Sequence, residues 1–110
     1  TIDCTPTFLA MVPINNTSLI HITVAGEKLG LYLMRKWSAL VNRFYNAYGP
    51  TECGVGISAI KCYESMSYPQ SIGIPFQNLQ AYIVDTEDVS QLCPFGISGE
   101  LCIAGPQLAR

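Results

Sequence analysis

Residues 19–49 read LIHITVAGEKLGLYLMRKWSALVNRFYNAYG, and their pattern indicates the fold class. Leu19–Ala25 is rich in β-branched residues and predicts a strand, which Gly26 ends. Glu27–Val41 predicts an amphipathic helix, because its apolar residues recur at the spacing of one helical face. That face comprises Leu29, Leu33, Trp37 and Leu40. Arg43–Ala47 predicts a second strand, and the strand–helix–strand order is typical of a parallel sheet with a right-handed crossover.

The residues before this stretch repeat its pattern. Residues 1–4 predict the end of another strand. Thr5-Pro6 predicts a helix start, because threonine suits the cap position and proline suits the first turn. Residues 1–54 therefore predict a parallel βαβαβ segment, and the expected fold class is α/β.

The second half of the chain has a different pattern. Val55–Tyr63, Leu79–Val84 and Gly99–Gly105 predict short strands, and Ile72–Pro75 is a turn-prone link. Closely spaced strands of this kind favour an antiparallel or barrel-like section beside the parallel sheet. We expect residues 55–110 to form this β-rich part.

The composition is apolar for a chain of this size. Hydrophobic residues make up 49% and charged residues 13%, whereas a typical soluble domain carries roughly 25% charged residues. The chain begins at Thr1 and ends at Arg110, just after an apolar stretch. These features favour an internal fragment of one larger domain, covering residues 1–110.

The charge pattern argues against two classes of partner. The net charge is −2 and the six basic residues are scattered, whereas binding to nucleic acid or an anionic membrane requires clustered lysine and arginine. No apolar run reaches the roughly 18 residues that span a bilayer. We therefore expect no nucleic-acid partner and no membrane association.

Cysteine and histidine usage gives little support for a metal site or a nucleophile. The five cysteines are odd in number and form no CxxC pair, which argues against a zinc site and a disulfide framework. Free thiols in a reducing compartment are favoured, and we expect a cytoplasmic location. His21 lies between Ile20 and Ile22, which indicates an ordinary strand histidine rather than a catalytic one.

Asn46–Glu52 (NAYGPTE) carries the polar side chains best placed for chemistry. It follows a predicted strand, and ligands bind at the carboxyl ends of parallel strands. The asparagine amide can form hydrogen bonds with the edge of a base, and the tyrosine ring can stack on the face of that base. The threonine hydroxyl suits a phosphate oxygen, and the glutamate carboxylate suits Mg²⁺. Chemistry alone leaves two interpretations open, a nucleotide and metal loop or a polar turn at a strand end.

The same loop matches, over its full length, the signature of the amino-acid adenylation domains of non-ribosomal peptide synthetases. Four further segments resemble that family and stand in its order, so the resemblance covers essentially the whole chain. They are residues 5–8 (TPTF), 23–29 (TVAGEKL), 71–78 (SIGIPFQN) and 99–110 (GELCIAGPQLAR). Ala25 stands where the family usually has a glycine.

The resemblance implies an adenylate-forming enzyme and part of its large N-terminal domain. Such enzymes use ATP, with Mg²⁺ bound to its phosphates, to join a carboxylic acid to AMP with release of pyrophosphate, and then pass the acyl group to a phosphopantetheine thiol. The implied partners are an amino-acid substrate and the carrier and condensation domains of a multidomain parent. No covalent enzyme nucleophile is needed, which suits a chain without a Ser-His or Cys-His arrangement.

The resemblance also implies roles for individual residues. Thr51 and Glu52 would be the catalytic pair, with Thr51 on phosphate and Glu52 holding Mg²⁺. The residues implied to bind ATP or AMP are Gly26, Glu27, Lys28, Asn46, Ala47, Tyr48, Gly49 and Thr51. A second interpretation of Glu27 is a carboxylate at the N-terminus of the helix that follows it.

Substrate choice is implied to depend on a separate set of positions. The pocket-lining residues are Asp3, Thr23, Ala25, Ala47, Val55 and Gly56. Three of them are small, which leaves room for a large substrate. A carboxylate at Asp3 in a fairly enclosed site calls for a hydrogen-bond donor or a positive group on the substrate, as in an ornithine derivative. A strand-end carboxylate without a ligand role is the alternative.

Two other functions remain open at this stage. One is an acyl- or aryl-acid–CoA ligase, although Asn46, Ala47 and Pro50 favour the peptide-synthetase branch. The other is a non-catalytic adenylation-like scaffold. The family's phosphate loop, its mobile C-terminal domain and that domain's lysine have no counterpart in this sequence, so we expect the isolated 110 residues to lack adenylation activity.

Overall fold

The computed structural model describes residues 1–14, 18–54 and 56–108. Val55, a predicted pocket residue, lies outside these ranges. The elements of the first half are β1 (Ile2–Cys4), α1 (Pro6–Met11), β2 (His21–Val24), α2 (Leu31–Ser38), β3 (Arg43–Tyr48) and a short 3-10 helix (Thr51–Cys53). Those of the second half are β4 (Ser58–Lys61), β5 (Ile74–Pro75), β6 (Gln80–Val84) and β7 (Glu100–Ala104).

Five strands form one mixed sheet in the order β1-β2-β3-β4-β5. β1, β2 and β3 are parallel, and β4 and β5 are antiparallel to their neighbours. The α/β fold class and the βαβαβ segment predicted for residues 1–54 are therefore confirmed. β4 and β5 extend this same sheet, so the change after residue 54 is a change of strand direction. β6 and β7 form a separate antiparallel pair.

Helix α1 begins as its sequence predicts. The Thr5 hydroxyl accepts a hydrogen bond from the backbone N–H of Phe8 at 3.2 Å, and Pro6 occupies the first helical position. Proline has no N–H to leave unpaired in the first turn. The cap fixes the angle at which the chain leaves β1, and α1 then buries Leu9 against the sheet.

Helix α2 is shorter than predicted. The interval Glu27–Val41 is wrong as a single helix, because the helix begins at Leu31 and ends at Ser38. Gly26 has a positive φ of 84° and Gly30 is the N-cap with an extended backbone, so residues 26–30 form a turn between β2 and α2 and are not helical. Leu40 lies beyond the helix end and is 46% exposed, so its place on the buried face is also wrong.

The hydrophobic core lies between the two helices and one face of the sheet. Its largest fully buried side chains include Phe44 from β3, Ile22 from β2 and Met34 from α2. Each such side chain contributes about 1.5–3 kcal/mol through burial. The opposite face of the sheet carries His21, Thr23 and other half-buried residues. In the part of the chain that the structure describes, no helix is long and apolar enough to cross a membrane.

Candidate functional site

A cavity of about 450 Å³ lies at the carboxyl ends of β2 and β3. Two segments form most of its wall, the turn after β2 and the end of β3 with the residues that follow. Its lining residues are Gly26, Glu27, Lys28, Leu29, Asn46, Ala47, Tyr48, Gly49, Pro50, Gln70 and Ile72. Every residue predicted to bind the nucleotide lines this cavity, except Thr51. The sequence analysis missed Leu29, Pro50, Gln70 and Ile72.

The turn after β2 forms one wall of the cavity. Gly26 has a φ of 84°, a left-handed conformation that L residues with a side chain rarely adopt. The turn it makes carries Glu27 and Lys28 to the rim of the cavity, where both are exposed. The backbone at this position is therefore open to close approach by a flat ligand.

Glu27 is tied to a different helix from the one expected. Its Oε2 accepts hydrogen bonds from the backbone N–H of Thr7 at 3.0 Å and from the Thr7 hydroxyl at 2.5 Å. These hydrogen bonds, the side-chain one first, hold the pKa of the exposed Glu27 carboxyl below its usual range. The interpretation of Glu27 as an N-terminal carboxylate of α2 is wrong, because it stabilises the first turn of α1. The contact joins the cavity rim to α1.

Asn46 lies deep in the cavity wall with a fixed orientation. Its side chain is 5% exposed, and Nδ2 donates to the backbone carbonyls of Pro69 at 3.1 Å and Ser71 at 2.9 Å. Because both partners are carbonyl oxygens, the amide nitrogen must face them, and Oδ1 is left as an acceptor. Among the described residues, Oδ1 has no hydrogen-bond partner. A ligand amino group is the complementary chemistry.

The same two hydrogen bonds explain the residues that the sequence analysis missed. They hold the loop at residues 69–71 against β3, and this brings Gln70 and Ile72 onto the cavity. An asparagine on the buried face of a predicted strand was an available signal, since a buried amide requires partners. The sequence contains no signal for which residues those partners are, because they lie more than 20 residues away.

Tyr48 ends β3 and keeps a usable ring surface. Its side chain is 39% exposed, and Gly49 and Pro50 turn the chain away immediately after it. Tyr48 and Asn46 both line the cavity, and they lie on the same face of β3. Together they combine an aromatic surface with a hydrogen-bond acceptor, which is the requirement for recognising an amino-substituted heteroaromatic ring.

Thr51 and Glu52 lie outside the cavity lining. Both are exposed on the 3-10 helix that follows it, which buried Cys53 anchors and Gly54 ends at a φ of 70°. Within residues 1–14, 18–54 and 56–108, no cluster of three or more His, Cys, Asp or Glu side chains could hold a metal ion. Mg²⁺ usually keeps several waters and takes one or two carboxylates plus phosphate oxygens. A single exposed carboxylate at Glu52 fits that requirement.

The predicted substrate-pocket residues lie mainly on the sheet face opposite to the core. Asp3 pairs with Thr23, and Ala47 lies on the same face of β3. Gly56 is half-buried, and a Cβ there would lie 3.3 Å from the Phe76 ring. Asp3 is exposed, because β1 has β2 as its only partner in the described sheet. The described residues therefore do not supply the enclosure expected for its carboxylate.

Comparison with known proteins gives a consistent result. The family model described as AMP-binding enzyme matches residues 2–110. Tyrocidine synthase 1 of Brevibacillus parabrevis is 42% identical over 108 residues, which is 96% of this chain and 10% of that protein. The non-ribosomal peptide synthetase otaB of Aspergillus carbonarius is 38% identical over 101 residues, which is 92% of this chain and 5% of that protein. The chain thus spans a small part of these relatives.

Solved structures show the same fold. The N-terminal subdomain of Klebsiella oxytoca NpsA, in complex with 3-hydroxybenzoyl-AMSN, superposes with a TM-score of 0.82 at 20% identity, over 97% of this chain and 28% of that one. Holo-AB3403, a four-domain non-ribosomal peptide synthetase bound to AMP and glycine, gives a TM-score of 0.76 at 31% identity. That match covers 97% of this chain and 8% of the other.

Proposed function

This chain belongs to the AMP-binding enzymes, with the adenylation-domain fold of non-ribosomal peptide synthetases, and from that premise we propose that it forms the nucleotide site and part of the substrate site of an amino-acid-activating domain. The observation that carries the proposal is the cavity, where the turn after β2 and the end of β3 converge. We further propose that residues 1–110 are an internal part of one such domain.

In the proposed reaction, the carboxylate of an amino acid attacks the α-phosphorus of ATP and pyrophosphate leaves. Oδ1 of Asn46 accepts a hydrogen bond from the adenine amino group, and Tyr48 stacks on the adenine ring. Gly26, Glu27 and Lys28 form the wall of the cavity opposite to Tyr48. Ala47 and Gly49 complete the lining on the Tyr48 side. Support comes from the fixed Asn46 amide and from the exposed Tyr48 ring beside it.

The phosphates are assigned to the segment that leaves the cavity. The Thr51 hydroxyl donates to a phosphate oxygen, and the Glu52 carboxylate holds Mg²⁺. When bound, Mg²⁺ supplies positive charge against the phosphates, which is the main requirement of this type of transfer. The exposure of both side chains on a short helix anchored by Cys53 supports this assignment.

The substrate is proposed to be a large amino acid with a hydrogen-bond donor or a positive group. Ala25, Ala47 and Gly56 leave space for it, and the Asp3 carboxylate, which is exposed among the described residues, provides the acceptor. Val55 is assigned to the same pocket. In a pyrophosphate-exchange panel with the full-length protein, donor-bearing side chains such as ornithine derivatives should rank first. A panel led by purely aliphatic amino acids would remove this part of the proposal.

The activated acyl group is proposed to pass to phosphopantetheine on a carrier domain, next to a condensation domain. The multidomain relatives support these partners. A cytoplasmic location suits five cysteines that are all free. Transfer to free coenzyme A instead of a carrier thiol would favour an acyl-CoA ligase.

The deciding experiment is ATP binding by the full-length protein after Tyr48→Ala and Glu52→Ala are combined. Loss of base stacking alone costs about 1–3 kcal/mol, so affinity should fall roughly 5- to 150-fold or more. The matched control combines Tyr32→Ala and Glu87→Ala, which remove the same side chains from exposed positions outside the cavity. Equal affinity in both double variants and the wild type would refute the nucleotide site.

A further inference from the structure

The sheet face opposite to the core has a stepped profile. Thr23 lies between Asp3 and Tyr45 in the strand register, so these three side chains form one row across β1, β2 and β3. Two residues further along β3, Ala47 takes the next position on the same face and is paired with Ala59. Ala25 directly follows the last residue of β2, and its backbone N–H donates to the Cys4 carbonyl. Methyl groups therefore lie towards the carboxyl ends, and larger side chains lie behind them. A ligand that enters at the carboxyl ends meets the alanines first and the Thr23 row next.

His21 lies behind Thr23 and contacts Tyr45, the β3 member of the same row. It is one step further back on the same face of β2, and its ring stacks on that of Tyr45 with 5.3 Å between centroids and 27° between planes. Both rings are half-buried. A stacked pair of planar rings is a stiff wall, because each ring limits the rotation of the other.

His21 also holds the hydroxyl of Thr23. Its Nε2 lies 3.1 Å from Thr23 Oγ1. If Nε2 donates, the Thr23 hydrogen is free to point at a ligand; if Nε2 accepts, the Thr23 oxygen keeps its lone pairs for a ligand donor. In either case the histidine decides where the hydroxyl lies and what it offers. Thr23 is already assigned to the substrate pocket, so this control reaches the ligand through Thr23.

We infer that His21 is a positioning residue for substrate selection, and that the His21–Tyr45 ring pair forms the back wall of the amino-acid pocket. The inference rests on the proposed function. It assigns two tasks to His21. The ring sets the length of side chain that the pocket accepts, and Nε2 sets the polarity of Thr23 at that depth. The chemical class selected is a side chain long enough to pass the alanine row, with a polar atom at the depth of Thr23.

Substitutions separate the two tasks. His21→Phe keeps a ring on Tyr45 but removes the nitrogen, so the preference for a polar side chain over its apolar isostere should fall about tenfold while the length limit is retained. His21→Ala removes both, so side chains longer by one or two methylenes should gain about tenfold in kcat/KM relative to the native substrate. His21→Gln restores an N–H near Thr23 and should recover part of the polar preference.

The experiment is a pyrophosphate-exchange panel of paired polar and apolar amino acids with the full-length protein. Tyr68→Ala is the control, because it removes an aromatic ring that is 77% exposed and is not paired with His21 or Thr23. It should keep the wild-type ranking of amino acids. If wild type exchanges but His21→Phe and His21→Ala keep its ranking, the inference is overturned and the proposed function stands. If wild type activates no amino acid, the proposed function itself fails. Should His21→Ala not fold, His21→Phe and His21→Gln still decide the point.

Discussion

The five-stranded sheet and the β6–β7 pair have similar apolar sequences but bury them very differently. The sheet and its two helices bury Phe44, Ile22 and Leu9 almost completely. Among residues 79–108 of the second region, Val84 is the only buried hydrophobic residue, while Phe95 and Leu92 remain exposed. A two-stranded pair has no second layer to cover its apolar side chains, so it is at most marginally stable by itself. Among the described residues, the hydrophobic core therefore belongs to the five-stranded sheet and its helices, and the β6–β7 pair contributes none of it.

The largest expected difference between the regions concerns two phenylalanines. Phe44→Ala removes a ring that is 1% exposed and should lower the free energy of unfolding by about 3–5 kcal/mol. Phe95→Ala removes a fully exposed ring and should change it by less than about 0.5 kcal/mol. Urea denaturation followed by circular dichroism measures both. Equal effects would show that the second region is packed in solution.

A pair of glycines sharpens the same contrast. Gly73 and Gly96 both have positive φ, 78° and 87°, but a Cβ at Gly73 would lie 2.1 Å from the Ala59 carbonyl oxygen, whereas Gly96 has open space. Gly73→Ala should cost about 2–4 kcal/mol through strain and overpacking, and Gly96→Ala about 1 kcal/mol through strain alone. Denaturant midpoints with unchanged slopes are the readout. A Gly73→Ala protein as stable as Gly96→Ala would mean that β5 does not approach β4 this closely.

Asn46 tests the loop that closes the cavity. Asn46→Ala removes both donors to the Pro69 and Ser71 carbonyls and should cost about 1–3 kcal/mol. Hydrogen exchange around residues 69–72 should accelerate as the loop is released. Asn42→Ala, at an exposed position before β3, is the control and should leave exchange in that loop unchanged. If hydrogen exchange in this loop were unchanged in Asn46→Ala, Asn46 would not be the residue that holds the loop in place.

The smallest effect is the pH dependence of two exposed carboxylates, one in each region. Hydrogen bonds from Thr7 lower the pKa of Glu27, and hydrogen bonds from Ser90 and Gln91 lower that of Asp88. A lowered folded pKa contributes stability above the unfolded pKa, and this is lost as pH falls through the folded pKa. Carboxyl titration by NMR should place both below the usual range. Thr7→Val should raise the Glu27 pKa and leave that of Asp88 unchanged.

The strands of the parallel sheet and the position of the loop at residues 46–52 were predictable because their signals are local. The β-branched run of β2 and the cap at Thr5-Pro6 are visible in a few consecutive residues. Helix α2 was placed too long, because Leu29 and Leu40 continue its apolar spacing. Gly30, the N-cap of α2, interrupts the predicted helix, but a single glycine lowers helix propensity by only about 1 kcal/mol, so the apolar spacing outweighed it. The seven-residue loop indicated its chemistry, but Gln70 and Ile72, which the folded chain brings onto the same cavity, had no local signal.

The amino-acid sequence was sufficient to predict the order of strands and helices in residues 1–54, the family resemblance and the segments proposed to bind a nucleotide. These properties follow from side-chain periodicity and turn chemistry within a few residues. Three contacts could be identified only once the chain was folded: Glu27 with α1, the Asn46 amide with the loop at residues 69–71, and His21 with Thr23. Two of these contacts join residues at least 20 positions apart. The third depends on a ring stacked across two strands, so in each case chain folding rather than local preference chooses the partner.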